Sequence, residues 1–326
     1  VTSSTHSFQW TADFFMNKGF DKKYADFAML QFLFSVPQMT TIMFWPEAAS
    51  HANMIPATKM VQTKFEHLYT KKIHLNKKGL ASLVQHAYGQ QDWLVAKTAM
   101  LQEKYNNNND VKLLVIVMFV IGKGKNEMDT FKLKLRNRFN LKQLKSSVHI
   151  PDRHEEASII GEMTLNDNSV FFLNRHDGDN CEQVSVEIAK RKALKEVNPK
   201  SYLHTQDIMI DSGGVMSFFG LRKRTDIDII FANNIDKTLL GKQNGIFVEA
   251  HAFNSNRRGK ERPWGQEHIT STRSVKDLFT DPQNYGYCHG LKYVSLEQLI
   301  RYKTRRGEPN KDEKDVAQIK DFLNQT

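Results

Sequence analysis

Residues 211–232, DSGGVMSFFGLRKRTDIDIIFA, are the most informative stretch of the chain. Gly213 and Gly214 precede a short apolar turn of helix, and after eleven intervening residues Asp226-Ile227-Asp228 opens an apolar strand. Two aspartates separated by one residue on a strand project from the same face, where they can chelate one or two divalent cations. Glycines at a helix start have a complementary use. Without Cβ atoms the backbone can approach a phosphate and offer it N–H groups, while Mg²⁺ or Mn²⁺ on the carboxylates neutralises the same phosphates.

A third carboxylate is expected from a neighbouring strand. Ile246 to His251 (IFVEAH) supplies Glu249 in a strand-like context, with His251 two residues later on the same face. Either can ligate metal or serve as base. Arg222 and Lys223, just ahead of the acids, and Ser217, in the short helix, complete a donor-binding set with Gly213 and Gly214. Further on, Lys303 and Arg306 share one face of a helix whose Leu296, Leu299 and Ile300 turn to a core, and both suit phosphate. The polar, basic segment Asn254 to Trp264 is a candidate acceptor loop.

Upstream, patterns of helix and strand alternate. A helical lead-in at Ala12 to Phe34 precedes a short strand at Thr40 to Phe44 and helices near Ala57 to Leu68 and Lys78 to Tyr88. The strongest strand, Leu113 to Ile121, leads to a helix near Glu127 to Phe139 and a strand at Ser147 to Ile150. A helix from Arg153 and a strand at Val170 to Leu173 follow. Asp152, with Glu155 three residues on, reads as an acid-capped helix start rather than a metal cluster with His149 and His154. Such alternation predicts an α/β protein whose N-terminal domain has a mostly parallel sheet. Asn174 to Gln183 (NRHDGDNCEQ) holds no apolar pair and divides an N-terminal α/β domain, 1–175, from a mixed α/β domain, 184–326.

With 326 residues, 40% hydrophobic and 25% charged, two packed domains are expected and a disordered or fibrous chain is excluded. The net charge of +10 favours polyanionic partners, among them nucleotides and nucleic acid. Basic residues are scattered, however, and show no basic-aromatic recognition motif. Cys181 and Cys288 form no CxxC pair, and two thiols in so long a chain predict a reducing, cytoplasmic setting. The most apolar run, Lys112 to Ile121, is about half the ~20 residues that span a bilayer, so no membrane span is expected. The opening VTSSTHSFQW lacks the basic start and apolar core of a signal peptide, and the missing Met points to a processed chain or a piece of a longer one.

Gly213-Gly214, eleven residues, then Asp226-x-Asp228 between apolar residues resembles the signature of the polymerase-β-type nucleotidyltransferase superfamily. Gly220-Leu221-Arg222 ahead of Thr225-Asp226-Ile227-Asp228 is further similar to its LicD and fukutin branch, which builds or decorates cell-surface glycans. Tyr287, Gly290 to Glu297, Lys303, Arg306 and Lys311-Asp312 resemble the tail of such proteins in bacteria and large viruses, chlorovirus glycosyltransferases among them. The likeness covers roughly Val184 to Leu323. It implies a nucleotidyltransferase-like C-terminal domain with Gly213 and Gly214 as phosphate loop, Asp226 and Asp228 as Mg²⁺ or Mn²⁺ ligands, and Glu249 as third acid. The implied activity is transfer of a sugar from a nucleotide-activated donor to a glycan hydroxyl, with the N-terminal domain recognising the acceptor. The alternatives are nucleotidyl or phospho-alcohol transfer, or a non-catalytic nucleic-acid-binding module.

Overall fold

A computed structural model of the chain describes residues 22–88, 112–139, 141, 147–176, 180–191, 208–232, 241–243, 246–251 and 274–325. Two compact units divide it, Val1–Asn166 and Asp167–Thr326.

In the first unit β1 (Met39–Phe44), β2 (Glu66–Leu75), β3 (Leu113–Ile121) and β4 (Val148–His149) form one sheet in the order β2-β3-β1-β4. Strand β3 is flanked on both sides, and its run LLVIVMFVI lacks polar alternation because helices cover both faces. One face presents Ile42 and Phe44 with Ile116, Met118, Val120 and Val148. Against it pack α2 (Pro46–Ala49), α3 (Met54–Lys64) and α5 (Lys125–Phe139), the last through Met128, Phe131 and Leu135. The opposite face carries α1 (Lys22–Ser35), α4 (Lys77–Tyr88) and α6 (His154–Thr164). There Asp26 of α1 is buried and accepts from Tyr69 Oη of β2 at 2.8 Å while pairing with Lys71.

The class expected from sequence, α/β, is what forms, but the first sheet is not parallel: every ladder in it is antiparallel. The cause lies at Lys64. The helix expected to run through Leu68 stops there, and Glu66–Leu75, whose buried positions include Leu68, Ile73 and Leu75, becomes a ten-residue strand beside β3. Glu156 rather than Asp152 closes the start of α6, its carboxylate accepting from the Asp152 N–H at 3.1 Å.

The second unit opens with α7 (Asp167–Arg175), where a strand at Val170 to Leu173 was expected. A continuous apolar run cannot separate strand from helix by period, and here Asp167 in the first turn and Arg175 in the last favour the helix dipole. The division therefore falls before α7, ahead of the polar 174–183 segment, part of which becomes the start of α8 (Asn180–Arg191). Strands β5 (Ile208–Asp211), β6 (Asp226–Phe231), β7 (Gly241–Gln243), β8 (Ile246–His251), β9 (Tyr285–Cys288) and β10 (Leu291–Val294) make a mixed sheet ordered β7-β8-β6-β5-β10-β9. The helices α9 (Ser212–Phe218), α10 (Val275–Thr280), α11 (Leu296–Arg306) and α12 (Lys311–Asn324) complete the unit. Ser295 caps α11 by accepting from the Gln298 N–H, and Gly307, left-handed at φ 61°, ends it.

Cys181 of α8 and Cys288 of β9 are joined by a disulfide, which corrects the expectation of two thiols. Cysteine usage accordingly no longer argues for a reducing compartment. Among the described residues no helix is long and apolar enough to cross a membrane.

Candidate functional site

Strands β5, β6 and β8 are neighbours, and their register sets Asp211 opposite Asp228 and Asp228 beside Glu249. Three acidic positions thus form one row across three strands. Asp226 lies on the same face of β6 one rung along, and His251 lies one rung the other way, beside Ile230. Like charges directly opposite one another weaken a sheet, so the row is a place where a cation would stabilise the unit. Asp226 and Asp228 are half-buried, and the Asp226 carboxylate accepts from the Thr225 hydroxyl at 3.1 Å. Among the described residues no three His, Cys, Asp or Glu side chains converge as a metal cage. What fits Mg²⁺ or Mn²⁺ is the donor chemistry, hard carboxylate oxygens on one face.

The chain leaves β5 at Asp211 straight into α9, which brings the glycine pair beside this row. Buried Asp211 is the helix cap, accepting from the Ser212 N–H at 2.7 Å. Ser212 itself is left-handed at φ 48°, and its buried hydroxyl has no hydrogen-bond partner among the described residues. A non-glycine residue in that region is strained by roughly 1–3 kcal/mol, and such strain concentrates at functional sites. Sequence reasoning passed over Ser212 and Asp211, because nothing in their residue types announces a positive φ or a cross-strand register.

Gly213 is needed for a close approach: a Cβ there would lie 2.9 Å from Arg222 Nη2. The guanidinium of Arg222 therefore sits against the first glycine, held from behind by Asp315 Oδ2 at 3.1 Å from Nη1. Gly214 packs on Ile210, and Ser217 spends its hydroxyl inside α9, donating to the Gly214 carbonyl at 2.7 Å. Lys223 is exposed.

Lys303 and Arg306 lie elsewhere. Lys303 is 1% exposed, with Nζ 2.7 Å from Asp315 and 3.4 Å from Asp312, a position that a phosphate does not reach. Arg306 binds Asp312 through Nε at 2.8 Å and through a second contact from Nη2. Burial pulls its pKa down, but the hydrogen bonds and charge of Asp312 prevail and hold it above the usual arginine value. These two cations form an internal network on α11 and α12 rather than part of the acid face. Glu249 and His251 are placed here by strand position, and the Asn254 to Trp264 segment lies outside the described residues. No family model, curated protein or solved structure matches the chain.

Proposed function

We propose that the chain is a divalent-metal-dependent transferase that moves a sugar from a nucleotide-activated donor to a glycan hydroxyl, a glycosyltransferase of surface or capsid glycan synthesis. The observation that supports this most is the register of Asp211, Asp228 and Glu249 beside the strained turn at Ser212 and the glycine pair. Asp226 and Asp228 would hold Mg²⁺ or Mn²⁺, which supplies charge neutralisation for the donor's diphosphate. Arg222, pressed against Gly213, adds a guanidinium suited to phosphate oxygens. Glu249 or His251 takes the proton of the acceptor hydroxyl as its oxygen bonds to the anomeric carbon and the nucleoside diphosphate leaves.

The test is a thermal-shift screen of nucleotide sugars and nucleoside triphosphates with and without Mn²⁺, since a ligand that binds only the folded state raises its stability. A metal-dependent shift with a nucleotide sugar supports glycosyl transfer. A shift with triphosphates alone, with pyrophosphate release, moves the reading to nucleotidyl transfer. No shift with any of them, together with salt-sensitive binding of nucleic acid, replaces it by a binding module.

A further inference from the structure

The first unit holds a cavity of its own. A cavity of about 400 Å³ opens where β3 and β4 end, a volume within the roughly 300–1,000 Å³ of small-molecule sites. Both strands run antiparallel to β1, hence parallel to each other, and both leave the sheet at the same end. From there the chain departs to opposite sides: β3 feeds α5, which covers the face of Ile42 and Phe44, whereas β4 feeds α6, which packs on α1 over the other face. Two exits that part to opposite faces leave an opening between them at the sheet's edge. Residues 122–125 from one exit and 151–154 from the other line it, together with the start of β1.

The lining has a definite chemistry. Lys123, Lys125, Asp129, Asp152, Arg153 and His154 are among its lining; of these Arg153 pairs with Glu156 at 3.1 Å and Asp152 lies 3.9 Å from Lys132. Lys125 has no ion pair or hydrogen bond among the described residues, and Lys123 lies 3.6 Å from Glu127 in a loose, half-exposed pair. At Gly124 a Cβ would meet nothing within 4 Å, so this glycine adjoins open space rather than packed atoms. His154 Nδ1 lies 3.1 Å from the Met39 carbonyl, which can only accept, so Nδ1 is the donor of this bond. Cations suit a phosphate, while two carboxylates suit hydroxyl donors and repel a ligand that is anionic throughout.

We infer that this cavity binds a small sugar monophosphate, its phosphate toward Lys123 and Lys125 and its hydroxyls toward Asp129 and Asp152. The inference does not depend on the acid row of the second unit. It is tested by isothermal titration of the whole chain with glucose 1-phosphate, inorganic phosphate and glucose. Glucose 1-phosphate is expected to bind most tightly, phosphate more weakly and glucose not measurably. Lys125→Ala and Gly124→Val each weaken the sugar phosphate about tenfold, while Lys134→Ala on the exposed side of α5 and Asp226→Asn in the second unit leave it unchanged. All of these variants change exposed or half-buried positions, and an unchanged melting temperature confirms the fold. The inference is overturned if neither phosphate compound binds saturably, or if binding survives both Lys125→Ala and Gly124→Val, or if it vanishes in Asp226→Asn.

Discussion

The second unit contains two pairs of closely spaced aspartates that the fold treats in opposite ways. Asp312 and Asp315 are 2% and 4% exposed and are met by Lys303, Arg306 and Arg222. Asp226 and Asp228 stand half-buried at the start of β6, in a sheet row whose other members, Asp211 and Glu249, are acids too. Acids matched by internal cations hold helices together. Acids placed across strands from other acids raise the local negative potential, which a bound cation would lower. The same residue type therefore braces helices in one place and gathers like charge across strands in the other, and the neighbours decide which.

The largest effect belongs to the matched pair. Asp315→Ala leaves Lys303 buried and without its 2.7 Å partner, and removing one member of a buried ion pair costs about 3–5 kcal/mol. Chemical denaturation should show that loss, and 1 M salt should barely alter the wild-type value because buried pairs are little screened. If Asp315→Ala melts like wild type, the contrast between the two pairs disappears.

Next in size is the disulfide, which ties α8 to β9 across 107 residues without using charge. Disulfides typically contribute about 2–4 kcal/mol, so Cys181→Ser should lower the melting temperature at every salt concentration. A thiol titration that finds two free cysteines in the native protein would remove this tie altogether.

For Asp226 and Asp228 the expected effect is on turnover and binding rather than on folding. Asp226→Asn and Asp228→Asn should each cut turnover by at least about a hundredfold, near 2.7 kcal/mol, while stability stays within about 0.5 kcal/mol of wild type or rises as repulsion is relieved. Full turnover in both variants removes Asp226 and Asp228 from the site. A large drop in stability would place them with Asp312 and Asp315 instead.

Much of this contrast was legible in the residues. The same-face placement of Asp226 and Asp228 is legible because period 2 on a strand is a local rule, and β3 and α5 are legible because their apolar patterns are long. Lys303 and Arg306 were misjudged for the converse reason: a shared helical face gives direction, but not what stands opposite, and Asp312 and Asp315 belong to the next helix. The cross-strand row required a register that no single strand encodes, and β2 was hidden because its polar positions Thr70, Lys71 and Lys72 do not look like a sheet interior. The disulfide was missed on similar grounds, since its cysteines meet only when α8 and β9 are docked.

The smallest effect distinguishes the two pairs by acid. Burial alone would raise the Asp312 pKa, but hydrogen bonds from Arg306 and the Glu308 N–H, with the charges of Arg306 and Lys303, hold it below the ordinary 3.8. A carboxyl whose folded pKa is depressed contributes stability that is complete above its unfolded value and is lost as pH falls through the folded one. The stability difference between wild type and Asp312→Asn should therefore be constant from pH 7 to pH 5, and shrink only below the ordinary carboxylate range. A difference that stays unchanged as pH falls from 5 to 2 would mean that Asp312 titrates alike in the folded and unfolded chain, and that the charges of Lys303 and Arg306 are balanced by other groups.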